Sequence, residues 1–131
     1  MSKPVIILDT SEIRKGKLAD LKDAMTKLAG FVEAHEPGII AYHVYINGDG
    51  TRLTVLQIHP DSASAEFHMK VAGSAFPGFA ELIRMSGIDI YGDPGQKLLE
   101  MLKRKARMLG SRIVVVHEFH AGFFRYGVPN S

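Results

Sequence analysis

The chain of 131 residues contains no cysteine, which excludes disulfides, thiolate nucleophiles and cysteine-ligated metals. That absence suits a reducing cytoplasm, the expected location. No apolar run approaches the roughly 20 residues that span a bilayer, so no membrane partner is expected. Met1-Ser2-Lys3-Pro4 leads into a short apolar run ending at Asp9 with no small-residue cleavage site, so no signal peptide is expected either. Neither sign of charge predominates, with 16 Lys and Arg against 14 Asp and Glu. A formal net charge of +2 is too small a surplus to argue for nucleic acid. There is no repeat and no low-complexity stretch. At 46% hydrophobic and 23% charged, the chain is not disordered. Its length suits one domain over residues 1–131.

Hydrophobic spacing then orders the elements. Val5 to Asp9 reads as a strand that is apolar on both faces. From Lys17 to about His35, Leu18, Leu21, Met25, Leu28 and Val32 fall three and four apart, one helical stripe, and Pro37 ends it. Ile39–Ile46 and Arg52–Ile58 form a hairpin around the turn Asn47-Gly48-Asp49-Gly50. Asp61 or Ser62 caps a helix over Ala63–Val71. A second helical piece carries Phe76, Phe79, Leu82 and Ile83, and Ile88–Tyr91 is a short strand. Asp93-Pro94-Gly95-Gln96 is a capping box that opens a helix to about Met108, with Leu98, Met101, Leu102 and Lys105 on one side. Ile113–Phe119 is the last long strand, and Gly122–Tyr126 adds a short pairing segment. The core spans about residues 4–92 and the helix–strand extension about 93–126.

The order βαββαβ followed by αβ implies an α+β, ferredoxin-like fold: an antiparallel sheet with its helices on one face. The strands are apolar front and back. In the second strand Ile39, Ala41 and Tyr45 lie on one side, and Ile40, Tyr42, Val44 and Ile46 on the other. One helical layer covers one face only, so a homodimer with facing sheets is expected.

These residues resemble the antibiotic biosynthesis monooxygenase-like proteins of the dimeric α/β-barrel superfamily. The resemblance rests on Gly16-Lys17, on Glu36-Pro37-Gly38-Ile39-Ile40-Ala41-Tyr42 (like the family's E-P-G-x-x-x-Y), on the hairpin, and on Pro60-Asp61-Ser62-Ala63 with Phe67-His68. It covers about Val5 to Phe79. The resemblance implies a cofactor-independent monooxygenase acting with O₂ on a small aromatic or quinol-type substrate. Two departures stand out. Where the family commonly ends its third strand Glu-x-Trp, this chain has Gln57-Ile58-His59. The positions matching the Asn, Trp and iron-ligating His of the haem-degrading branch hold Asp9, His68 and approximately Gly78, which disfavours haem.

His68 is the candidate catalytic residue. On the helix that by resemblance rims a pocket between sheet and helices, a neutral imidazole can take a phenolic proton and leave an oxygen-reactive phenolate. The bland alternative is a core-bonded histidine. Tyr42, His43, Tyr45, Gln57 and His59 cluster on the hairpin and suit orienting roles in an apolar pocket, or local hydrogen bonding alone. Asp9 orients a hydroxyl or starts a loop. Phe67, Phe76 and Phe79 form core or pocket wall. The candidate substrate-binding set is therefore Asp9, Tyr42, His43, Gln57, His59, Phe76 and Phe79.

No cofactor and no metal are expected. His117 and His120 point to opposite faces of a strand, and Glu118 with His120 is a ligand pair short of a usual site. Gly92-Asp93-Pro94-Gly95 lacks the spacing and lysine of a phosphate loop. Lys103, Arg104, Lys105 and Arg107 read as a solvated helix face. Phe123, Phe124 and Tyr126 form an apolar tail suited to packing on a neighbouring subunit. Two other functions fit the same residues: a non-catalytic ligand-binding or stress-response module, and an isomerase or lyase.

Overall fold

The computed structural model describes residues 3–125. The elements are β1 (Val5–Ile13), α1 (Leu18–His35), β2 (Ala41–Ile46), β3 (Arg52–His59), α2 (Ser62–Ala72), a 3₁₀ turn (Gly73–Ala75), α3 (Phe76–Phe79), β4 (Ile83–Tyr91), α4 (Gly95–Met108) and β5 (Val114–His117). The sheet order is β2-β3-β1-β4-β5. The first four strands pair antiparallel, and β5 joins β4 in parallel through the crossover helix α4. This is the expected α+β, ferredoxin-like arrangement, with the extension adding one edge strand.

Several boundaries differ from the sequence reading. β1 runs on to Ile13, so Asp9 sits mid-strand and starts no loop. β4 begins at Ile83, a residue whose apolar neighbours suggested a helix. Its register against β1 slips at Thr10/Ser11, where Gly87 faces Thr10 and Met85 faces Ser11, so Ser86 is an extra, bulged residue. The Ser111 hydroxyl donates to the Ser86 carbonyl, 2.9 Å away, satisfying the oxygen the bulge displaces. At the start of α4, Asp93 accepts from the Gly95 N–H, but the Gln96 amide donates to Glu100 instead of closing a box. Asp61, not Ser62, caps α2, accepting from the Ser64 N–H at 2.9 Å. β5 stops at His117, and the described part of Gly122–Tyr126 forms no strand. Tyr126 lies outside the described residues.

Strand alternation divides the sheet into two unlike faces. Val5, Ile7, Leu53, Val55, Ile83, Met85, Ile88 and Ile90 point to the helices. They pack there with Leu21, Met25, Leu28 and Val32 of α1, Ala65, Met69 and Ala72 of α2, and Leu98, Leu102 and Ala106 of α4. α1 buries its stripe because the three-and-four spacing keeps those side chains in line. On the opposite face, Ala41, Ile58 and Ile6 form one row, and His43, Leu56, Leu8 and Asp89 the next. No helix of the described chain covers this second face.

The hairpin turn requires its glycine. Gly50 has φ +73°, and a β-carbon there would come within 2.8 Å of the Leu18 side chain. The missing side chain thus lets the turn close onto the first residue of α1.

Candidate functional site

The polar residues of the interior lie between sheet and helices and form two groups. In the first, His68 projects from the buried stripe of α2 and is 1% exposed. Its Nδ1 is 2.8 and 2.9 Å from the two carboxylate oxygens of Glu36, the residue that caps the C-terminus of α1. Its Nε2 makes no hydrogen bond among the described residues. When Glu36 is ionised, Nδ1–H donates to the carboxylate and the Nε2 lone pair stays open.

Burial pushes the Glu36 carboxyl up to about 7. Burial, with help from the Lys105 and His59 charges, pushes the His68 imidazole down to about 3. The two groups titrate as a pair. Above neutrality the pair holds one proton, on Nδ1. When the Glu36 carboxyl takes up a proton near pH 7 and donates it to Nδ1, the neutral ring carries its own proton on Nε2. The raised carboxyl and the lowered imidazole share burial as their main cause, and the ring of His68 is neutral near pH 7.

His59 is also buried, in a ring-to-ring distance of 6.0 Å from His68, but both its nitrogens are occupied. Nε2–H donates to the Gln57 amide oxygen at 2.9 Å, and Nδ1 accepts from the Ser64 hydroxyl at 2.8 Å. Burial lowers this imidazole to about 4, so it is neutral near pH 7. Gln57 and His59 thus brace the site, with no lone pair left on the ring.

The second group is an ion pair. Lys105 on α4 reaches under the helical layer and places Nζ 2.7 Å from Asp9 Oδ2, with 7% and 6% of the two side chains exposed. Nζ also lies 4.5 Å from the centre of the Phe76 ring. Asp9 Oδ1 is buried without a partner. Beside it is a cavity of about 40 Å³ walled in part by Ser11, Tyr42, Phe76 and Lys105. His68 does not line this cavity. It packs against two residues that do, Tyr42 at 5.6 Å and Phe76 at 6.4 Å between ring centres. Burial and the Asp9 and Glu36 carboxylates push the Tyr42 hydroxyl up, so it stays protonated. A larger apolar cleft of about 490 Å³ lies between α1 and the end of α2, and Leu28 and Phe79 belong to the walls of both spaces.

No protein-family profile matches the chain. No curated protein matches it either. Solved structures do. MupZ from Pseudomonas fluorescens superposes with a TM-score of 0.75 at 17% identity, over 99% of this chain and 95% of that one. A putative antibiotic biosynthesis monooxygenase from Nitrosomonas europaea gives 0.61 at 16% identity, over 71% and 92%. SnoaB, a cofactor-independent oxygenase from Streptomyces nogalater, gives 0.59 at 12% identity, over 71% and 95%. The fold is that of the antibiotic biosynthesis monooxygenase-like proteins. The match to MupZ takes in the extension as well, the part that delivers Lys105.

Within this fold, the expected site residues separate. Asp9, Tyr42, Gln57, His59, His68, Phe76 and Phe79 all lie in the layer between sheet and helices. His43 does not. It alternates with Tyr42 onto the uncovered sheet face, where its Nδ1 lies 2.9 Å from the Tyr45 hydroxyl. The expected hairpin cluster is thus two clusters back to back. Phe67 is 46% exposed and walls nothing, because the buried stripe of α2 runs Ala65, His68, Met69, Ala72. Lys105 is no part of a solvated face. Phe123 and Phe124 are exposed in the described chain, at 75% and 43%. Among the described residues no group of three or more His, Asp or Glu side chains is placed to hold a metal ion.

Glu36, Lys105 and Ser64 were not among the expected site residues. For two of them a signal existed. Glu36 follows Val32 by four and so extends the buried stripe of α1. Lys105 lies on the apolar side of α4, where a charge needs a partner of opposite sign.

Proposed function

We propose that this protein is a cofactor-independent oxygenase that removes a proton from a small aromatic or quinol-type substrate and lets the resulting anion react with O₂. The observation that carries this reading is the Nε2 of His68, free of hydrogen bonds among the described residues, on a ring fixed by Glu36 at 2.8 Å. His68 takes the proton between Tyr42 and Phe76. For an anthrone-like CH₂ group the sequence balances as follows. The base removes one proton, and the carbanion passes an electron to O₂. The radical pair then joins in a C–O bond. Loss of water carries off the second oxygen and two hydrogens, leaving a carbonyl. The apolar cleft of about 490 Å³, lined not by His68 but by Ala72 one turn further along α2, is of a size that takes a drug-sized ring system. We also infer that two copies pair through the uncovered sheet face, since the exposed rows are largely aliphatic.

The test is oxygen uptake with a panel of hydroquinones and anthrones between pH 5 and 9. Rate should rise with pH through an ascending limb near 7, and His68→Gln should lower it by about 10²- to 10⁴-fold. Glu36→Gln should move the limb well below 7, since the pair then lacks its neutral-range proton. Full activity in folded His68→Gln refutes the assignment. Turnover of an enolisable ketone under nitrogen, with no oxygen uptake on the panel, assigns the same base to an isomerase or lyase.

A further inference from the structure

The second polar group has a geometry of its own. Asp9 is 95% buried in the centre of the sheet, and one of its oxygens, Oδ1, has no hydrogen bond. A buried acceptor left unpaired costs about 1–3 kcal/mol, more when charged, so a donor belongs there when the site is filled. Its other oxygen holds Lys105 at 2.7 Å. That ammonium has three N–H bonds and spends one on Asp9. Its position over the Phe76 ring keeps it in the cavity wall. An acceptor and a donor thus stand side by side around a space of about 40 Å³. That volume takes a water-sized group and excludes a ring. Leu28 and Phe79 wall both this space and the apolar cleft.

We propose that Asp9 and Lys105 form a hydroxyl-binding subsite. It takes one O–H of a phenol-type ligand whose apolar body occupies the cleft. The hydroxyl donates to Asp9 Oδ1, and its oxygen accepts from Lys105 Nζ. One water-sized group therefore completes both residues. The proposal rests on the oxygenase reading for its substrate class and deepens it. The proton removed at His68 and the hydroxyl held by Asp9 and Lys105 belong to different parts of one molecule. The pair also makes the extension a specificity element, since Lys105 comes from α4. A ligand that carries only ether or hydrocarbon substituents leaves Asp9 Oδ1 unpaired and is rejected.

Equilibrium binding of 1-naphthol and 1-methoxynaphthalene under nitrogen tests this without turnover. The chain contains no tryptophan, so naphthalene fluorescence reports the ligand. The intact protein should bind the naphthol about 10- to 100-fold more tightly than its methyl ether, the worth of hydrogen bonds to charged groups. Asp9→Asn/Lys105→Met removes both charges together and should bring the two affinities within about twofold. Asp9→Asn alone should reduce the preference to below about fivefold, but it strands the Lys105 charge and should be the less stable of the two; if neither folds, the ratio in the intact protein decides. Equal affinities in the intact protein overturn the proposal, and so does a full preference in either folded variant. His68→Gln should keep the naphthol preference. A failed base assignment therefore shows in oxygen uptake alone, and a failed subsite in these affinities alone.

Discussion

Lys105→Met should be among the costliest single substitutions in the molecule, although lysine to methionine at a helix position is ordinarily mild. The methionine keeps the length of the stem and its contact with Phe76, so little packing is lost. What is lost is the neutralisation of Asp9, 2.7 Å from the ammonium with both side chains over 90% buried. Breaking a buried pair from one side typically costs about 3–5 kcal/mol, because the remaining charge is stranded. For a domain whose total stability is about 5–15 kcal/mol, that is about a fifth or more. In urea, with a slope of about 1–3 kcal/mol/M, the midpoint should fall by about 2 M. Asp9→Asn in the Lys105→Met background removes the stranded charge and should restore all but about 1–2 kcal/mol. The exposed pair Lys27–Asp23, 3.0 Å apart with side chains 76% and 68% exposed, is the control. There Lys27→Met should change stability by less than about 0.5 kcal/mol. A loss below about 1 kcal/mol in Lys105→Met, or a double variant no better than the single, would refute the reasoning.

Acid should destabilise the fold partly through His59. Its folded-state affinity for protons is depressed from 6.5 to about 4. The unfolded chain therefore binds the proton first, and stability present above pH 6.5 is lost as pH falls toward 4. The loss should be about 3 kcal/mol, and urea midpoints at pH 7 and 4.5 should show a flatter slope for His59→Gln than for the intact protein. Equal slopes would count against a neutral buried imidazole. Glu36 acts with the opposite sign. Its raised value, about 7, gives stability that is complete below 4.5 and lost as pH rises through 7. Glu36→Gln should remove that upper dependence, which the same titration carried to pH 8.5 would reveal. On the uncovered sheet face, Leu56→Asp should halve the mass seen by light scattering while leaving the circular dichroism unchanged. Retention of the dimer mass would place the contact elsewhere.

The fold was largely legible because its signals are periodic. The stripe of α1 and the turn around Gly50 each determine an element within a few residues. The errors lie where a local rule met a tertiary one. Ile83 sits among phenylalanines at helical spacing, yet strand pairing with Ile13 claims it. Gln96 has the sequence of a capping partner, but Glu100 one turn on competes for its amide. His68 could be singled out from its place on α2. Its partner Glu36 lies 32 residues away, and no spacing rule joins a helix end to the face of another helix. His43 shows the opposite failing. Neighbours in sequence such as Tyr42 and His43 look like one cluster until alternation sends them through opposite sides of the sheet.

The ion pair between Asp9 and Lys105 joins residues 96 positions apart. During synthesis, the first of these leaves the ribosome several seconds before the second. Until α4 docks, β1 carries an anion with no counter-charge in a place that should be dry. A nascent chain stopped before residue 105 therefore has an incomplete interior, and its first strand has reason to stay wet. Completion of the fold and completion of the site fall on the same late event.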